Sequence, residues 1–233
     1  MTTTTPASQP ATPSATPSAQ EPRRGAADAG FTLVEYTVAM AIFTIVIAIT
    51  AGGVALMARD VVKTTNLSTS TDQIRLAFGR LDRQVRYASE INFPGAVGGS
   101  RWYVEFLAPN GDGVPTCHQW LLDTGTDKLQ ERWWPGPPAT APATAPAWTT
   151  VASTIANDPV TDQPFTLVPA DVDAPRQGLV VELIARKGAR DTSSVTMQTS
   201  LYARNSSVQS AANSDADGNG ASDDAICDEL GRP

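Results

Sequence analysis

Apolar and polar residues fall into three regimes along the chain. From Thr3 to Gln20 the residues are Thr, Pro, Ser, Ala and Gln, with no charge and no apolar period. Such a stretch buries too little to fold, so residues 1–30 are expected to be a disordered leader. From Tyr36 to Ala58, 23 residues pass without a charge. As a helix rising about 1.5 Å per residue, that run reaches roughly 34 Å, enough to cross a bilayer core. Beyond Ala58 polarity returns, and Ile74, Phe78, Leu81, Val85 and Ala88 recur at 4-3-4-3 spacing with Arg75, Arg80, Asp82, Arg83 and Arg86 between them. That stripe predicts an amphipathic helix continuing over residues 59–90, with Thr64 to Thr71 as the place where a break would fall. Asn92-Phe93-Pro94-Gly95 ends it.

The third regime reads as strands. Trp102 to Leu107 is one, and Gln119 to Leu122 follows a turn rich in Gly, Asp and Pro. Asp123-Thr124-Gly125-Thr126-Asp127 has hairpin chemistry, with Lys128 to Trp134 as the returning strand. Pro135 to Pro146 is a Pro/Ala/Thr loop expected to be extended and exposed. Trp148 to Ile155, Gly178 to Arg186 and Ser194 to Arg204 supply further strands. Helix first and strands afterwards predict an α+β fold with an antiparallel head over 91–210 and the stripe packed on its sheet. The five tryptophans, all between Trp102 and Trp148, mark the expected core of that head.

Charge narrows the partners. With 17 Lys and Arg against 24 Asp and Glu, the net charge is −7. An acidic head gains nothing from phosphate attraction, so bulk nucleic-acid binding is not expected. Arg23-Arg24 ahead of the apolar run favours a cytoplasmic N-terminus and an extracytoplasmic head. A structural zinc site needs about four N/S ligands, and the chain has two Cys and one His. In an exported head Cys117 and Cys227 can pair or remain two thiols.

Around the start of the apolar run, Gly30-Phe31-Thr32-Leu33-Val34-Glu35 places a small residue, an aromatic residue and a single carboxylate in order. A carboxylate at the rim of a membrane segment is costly and requires a partner. A secretory signal would carry a shorter apolar core with its cleavage site after it; here the Ala29-Gly30 boundary comes before. The segment from Gly30 to about Met57 resembles the type IV pilin and pseudopilin superfamily and its class III signal peptide; the other reading is an uncleaved signal anchor. The resemblance implies that a prepilin peptidase cuts after Gly30 and that Phe31 becomes a methylated N-terminus. It further implies that residues 31–58 form the transmembrane and assembly helix, and that Glu35 meets the freed ammonium of a neighbouring subunit. Gly52-Gly53 stands where pilins often loosen the first helix, and ordinary tolerance of glycine is the competing reading. Thr71 to Arg86 resembles the helix of J-type minor pseudopilins. A long helix laid on an antiparallel sheet is also the pilin architecture.

The last segment, 211–233, holds Asp215-Ala216-Asp217-Gly218-Asn219-Gly220-Ala221-Ser222-Asp223-Asp224. Oxygen ligands at alternate positions with turn glycines suit calcium, with Asp215, Asp217, Asn219 and Asp223 as candidate ligands. The run resembles thrombospondin type 3 calcium repeats. It departs from an EF-hand, since Ile226 stands where a bidentate Glu is expected; a solvated acidic tail is the alternative. No nucleophile elbow, phosphate loop or His-Glu-x-x-His motif is present, and Cys117 and His118, being adjacent in a strand, point to opposite faces. His118 is therefore read as a surface histidine and the chain as a non-enzyme. Two functions remain: a structural, minor subunit of a pilus or pilus-like secretion or competence filament, or a single-span surface adhesin with a calcium-stabilised head.

Overall fold

The computed structural model describes residues 32–186, 194–227 and 230, without the side chains of 66 and 186. The expected leader, Gly30 and Phe31 lie outside the described residues. One helix, α1, spans Leu33–Val85. Nine strands follow: β1 (Glu90–Ile91), β2 (Gly95–Val97), β3 (Arg101–Pro109), β4 (Pro115–Asp123), β5 (Lys128–Pro135), β6 (Thr149–Ser153), β7 (Phe165–Val168), β8 (Gly178–Arg186) and β9 (Ser194–Tyr202). They form two antiparallel sheets, ordered β1-β3-β4-β5-β6 with β2 also on β3, and β7-β8-β9. The α+β layout of the pilin type is thus present, with the strands divided between two sheets.

The chain divides into two compact units at Gly52/Gly53. The first contains the apolar part of α1. Its residues from Leu33 to Gly52 are all exposed, as a segment requires if its solvent is lipid or other helices rather than its own head. The helix is long and apolar enough to cross a membrane.

The second unit holds the head and the rest of α1. Helical structure continues through Thr64 to Thr71, where a break was expected. The hydroxyls of Thr64, Thr65, Thr69 and Thr71 each donate to the carbonyl four residues earlier, at 2.8–2.9 Å, so polarity here is absorbed within the helix. Ile74, Ala77, Leu81, Val85 and Ala88 are fully buried, in one cluster with Val104, Phe106, Trp120 and Leu122 from the larger sheet and Leu179, Val181 and Leu183 from the smaller. Each such large side chain contributes roughly 1.5–3 kcal/mol. The helix ends at Val85, slightly before the expected Ser89. Just past its end the carbonyls are taken by later chain: Arg204 N–H donates to Arg86 O at 3.0 Å, and Asn205 Nδ2 to Tyr87 O at 2.9 Å.

Side-chain amides join what the strand ladders leave open. Gln177, fully buried, accepts from Ile91 N–H at 2.9 Å and donates to Ile91 O at 3.0 Å, mimicking a strand partner for β1. The β3–β4 and β4–β5 pairs are hairpins in unbroken register, including Glu105 opposite Gln119 and Gln119 opposite Arg132. The expectation that Lys128 to Trp134 returns along Gln119 to Leu122 therefore holds. The tryptophans divide: Trp120 and Trp134 are core, but Trp133 is 57% exposed.

Candidate functional site

The N-terminal end of α1 is built by Thr32. Its hydroxyl accepts the Glu35 N–H at 3.2 Å while its carbonyl accepts Tyr36 N–H at 3.1 Å, a threonine cap with the carboxylate at the third helical position. Thr32-x-x-Glu35 is thus also a capping-box sequence, a local role that the sequence reading did not weigh. The Glu35 carboxylate itself is exposed and has no partner among the described residues. Next to it lie Leu33, Val34 and Tyr36, exposed by 81%, 69% and 61%. Among the described residues, nothing pairs that charge or covers that apolar surface.

Far along the chain, Cys117 of β4 is bonded to Cys227, with their Cα atoms 5.6 Å apart and 110 residues between them in sequence. The bond lies against Trp134, with Leu107, Ala141 and Ile226 around it. Beside it runs a buried polar ladder. Gln119 donates to Glu105 and Arg132 donates to Gln119. Asn92 closes the far end, donating to Glu105 Oε2 at 3.0 Å and to Ile226 O at 2.7 Å, while accepting Ile226 N–H at 3.0 Å. At the near end the Arg132 guanidinium sits 4.4 Å from the Trp148 ring centroid and 5.7 Å from that of Trp134. Ile226, at the position of an EF-hand's last ligand, is instead occupied in this network.

The acidic loop preceding Cys227 is anchored by Ser222, whose hydroxyl donates to Ala212 O at 2.7 Å and accepts Phe93 N–H at 2.9 Å. Carboxylate oxygens of Asp215, Asp217 and Asp223 lie within 4.8 Å of one another. Asp215 accepts the N–H groups of Asn219 at 2.9 Å and Gly220 at 3.0 Å. The Ser214 hydroxyl, followed by the Ala216 N–H, holds the Asp223 carboxyl below the usual carboxylate range. Asn219 is turned inward on the loop, its Oδ1 accepting Ala221 N–H and its Nδ2 donating to Asp217. The three carboxylates fit a hard divalent cation; Asn219 would have to exchange a loop bond to join them.

His118 is not the surface histidine expected from its neighbours in sequence. It is 9% exposed, stacked on Phe106 at 5.3 Å between ring centroids, on the face opposite Cys117. Burial, then the nearby Arg80 guanidinium, lowers its pKa from 6.5 to about 4. On the same face Arg80 forms an ion pair with Glu131, which is 3% exposed. The sequence carried a signal for this: His118, Trp120 and Leu122 share one parity of β4, so the histidine lies on the helix-facing side.

Residues 26–51 match the family described as the prokaryotic N-terminal methylation motif. The match supports a class III signal peptide of the kind that type IV pilins and pseudopilins carry, and with it a pilin-like precursor of the sort that prepilin peptidase processes. No curated protein and no solved structure matches the chain.

Proposed function

We propose that the chain is a minor structural subunit of a type IV pilus or pilus-like secretion filament, cleaved after Gly30 and assembled through the helix beginning at Phe31. The observation that carries this reading is the methylation motif joined to an apolar helix whose residues through Gly52 are all exposed. Before assembly, the bilayer covers that helix; afterwards, neighbouring subunits do. Glu35 then finds the neighbour's N-terminal ammonium, a pairing that sets axial register in a low-dielectric bundle. Arg23-Arg24 keep the N-terminus cytoplasmic and place the head outside. The large two-sheet head, with its Pro/Ala/Thr loop, supports a specialised subunit present at few copies.

Mass spectrometry of the N-terminus, from sheared filaments and from membranes, tests this. The mature chain is expected to begin at methylated Phe31. In Glu35→Ala leader removal persists while incorporation into filaments falls. A native chain that keeps its leader in cells with active peptidase overturns the proposal and leaves a single-span surface protein.

Asp215, Asp217, Asn219 and Asp223 are proposed to hold calcium, on the support of the three converging carboxylates. Calcium at about 100 times its dissociation constant should then stabilise the folded head by about 2.7 kcal/mol. The corresponding rise in melting temperature should vanish in Asp217→Ala; a rise that survives that substitution overturns the assignment.

A further inference from the structure

A cleft of about 290 Å³ opens where α1 meets the turn between β3 and β4, lined by Arg80, Arg83, Asn110, Thr116, His118 and Trp133. It is distinct from the apolar part of α1 and from the acidic loop. We propose that this cleft binds a uronic-acid residue of an acidic glycan, a ligand site on the head that goes beyond the filament role above.

The argument begins with unpaired donors. His118 is nine-tenths buried as a residue and lines the cleft, and its ring nitrogens, which no described residue pairs, are not sealed from solvent. With its pKa near 4 the imidazole is neutral in neutral solution. A neutral imidazole offers one donor and one acceptor, the complement of a hydroxyl. Asn110 uses its Oδ1 to accept Asp112 N–H at 2.9 Å and Val114 N–H at 3.0 Å, which leaves its Nδ2 donors without partners among the described residues.

Charge comes next. Arg80 is neutralised by Glu131 behind it. Arg83 is exposed and has no partner among the described residues, so the cleft carries one uncompensated guanidinium in a chain of net charge −7. One cation matches one carboxylate, which it can grip with two parallel hydrogen bonds.

Shape selects a ring. Trp133 stands directly opposite His118 in the β4–β5 register and is 57% exposed, so its indole forms an open wall beside the polar groups. The C–H face of a pyranose packs on such a wall while its hydroxyls reach His118 and Asn110 and its carboxylate reaches Arg83. A single-stranded nucleic acid fits less well. It needs a track of cations and successive stacking platforms, whereas this cleft supplies one of each.

The full chain in detergent, titrated by calorimetry with trigalacturonate, neutral galactotriose and oligothymidylate at one ionic strength, tests the assignment. Trigalacturonate should bind about tenfold more tightly than galactotriose, the difference one charge-assisted contact supplies. Arg83→Gln should remove that preference at unchanged melting temperature, since Arg83 is exposed; Trp133→Ala should abolish binding of both sugars. No heat from trigalacturonate at about 10 mM, equal affinity for both sugars, or a preference that survives Arg83→Gln overturns the proposal. Tighter binding of oligothymidylate through Arg83 and Trp133 also overturns it, in favour of nucleic acid.

Discussion

His118 shows how much one side chain's surroundings matter. In the unfolded chain its pKa is about 6.5; in the head, burial and then Arg80 push it down to about 4. The folded state thus disfavours the extra proton. The contribution to stability is fully present above pH 6.5 and is lost as pH falls from 6.5 towards 4. Over that interval the loss is roughly 3 kcal/mol. The groups facing it are Arg80 and Arg83 from α1 and Glu131 from β5. Glu131 is raised, by burial first and against Arg80, so its protonation favours the fold in acid and partly offsets the loss. Urea denaturation at pH 7 and pH 4 should show a smaller drop for His118→Gln than for the natural chain, because Glu131 acts in both. The opposite orientation of Cys117 and His118 was legible from strand periodicity. The parity His118 shares with Trp120 and Leu122 pointed to the inner face, but the depth of its burial depends on α1 lying over that face, which no local pattern shows.

In α1 the apolar spacing that predicts the helix also predicts its buried face. Ile74, Leu81 and Val85 are buried as the stripe requires, as is Ala88 just past the helix, and Phe78 is partly buried against the same core, while Leu76, off the stripe, is 73% exposed. Leu81→Ala should therefore cost about 2–5 kcal/mol by leaving a cavity between helix and sheet. Leu76→Ala should stay within about 0.5 kcal/mol. Denaturation midpoints of the two variants, with equal slopes, provide the comparison. Strands of eight or nine residues with alternating side chains were readable. β1 and β2 were not, because two or three residues are too short for a period to emerge. They exist because β3 offers them a long edge, with Ile91 opposite Phe106 and Ala96 opposite Trp102.

Along the chain, composition set a polar N-terminal segment apart from the apolar run and the later mixed sequence. It did not show that the head's strands would divide into two sheets around one core, which follows from Gln177 and the shared apolar cluster rather than from any local run. Nor did it show the polar ladder from Asn92 to Arg132, whose members lie in four separate stretches of sequence. The convergence of Asp215, Asp217 and Asp223 was readable because they lie within one short loop; the cleft beside His118 was not, because α1, β4, β5 and the β3–β4 turn each supply part of it.

Among the described residues, none between Thr32 and Thr69 is buried. Of those positions Leu67 packs against the head's core; the apolar stretch before it contributes no buried residue, and the two parts answer to separate judges. Substitutions in the greasy stretch are screened by whatever wraps it, and substitutions after Ser70 by the fold itself. A foreign head spliced on beyond the apolar run would inherit a working stem, and this head, expressed alone from that junction, would lose a handle but no part of its architecture.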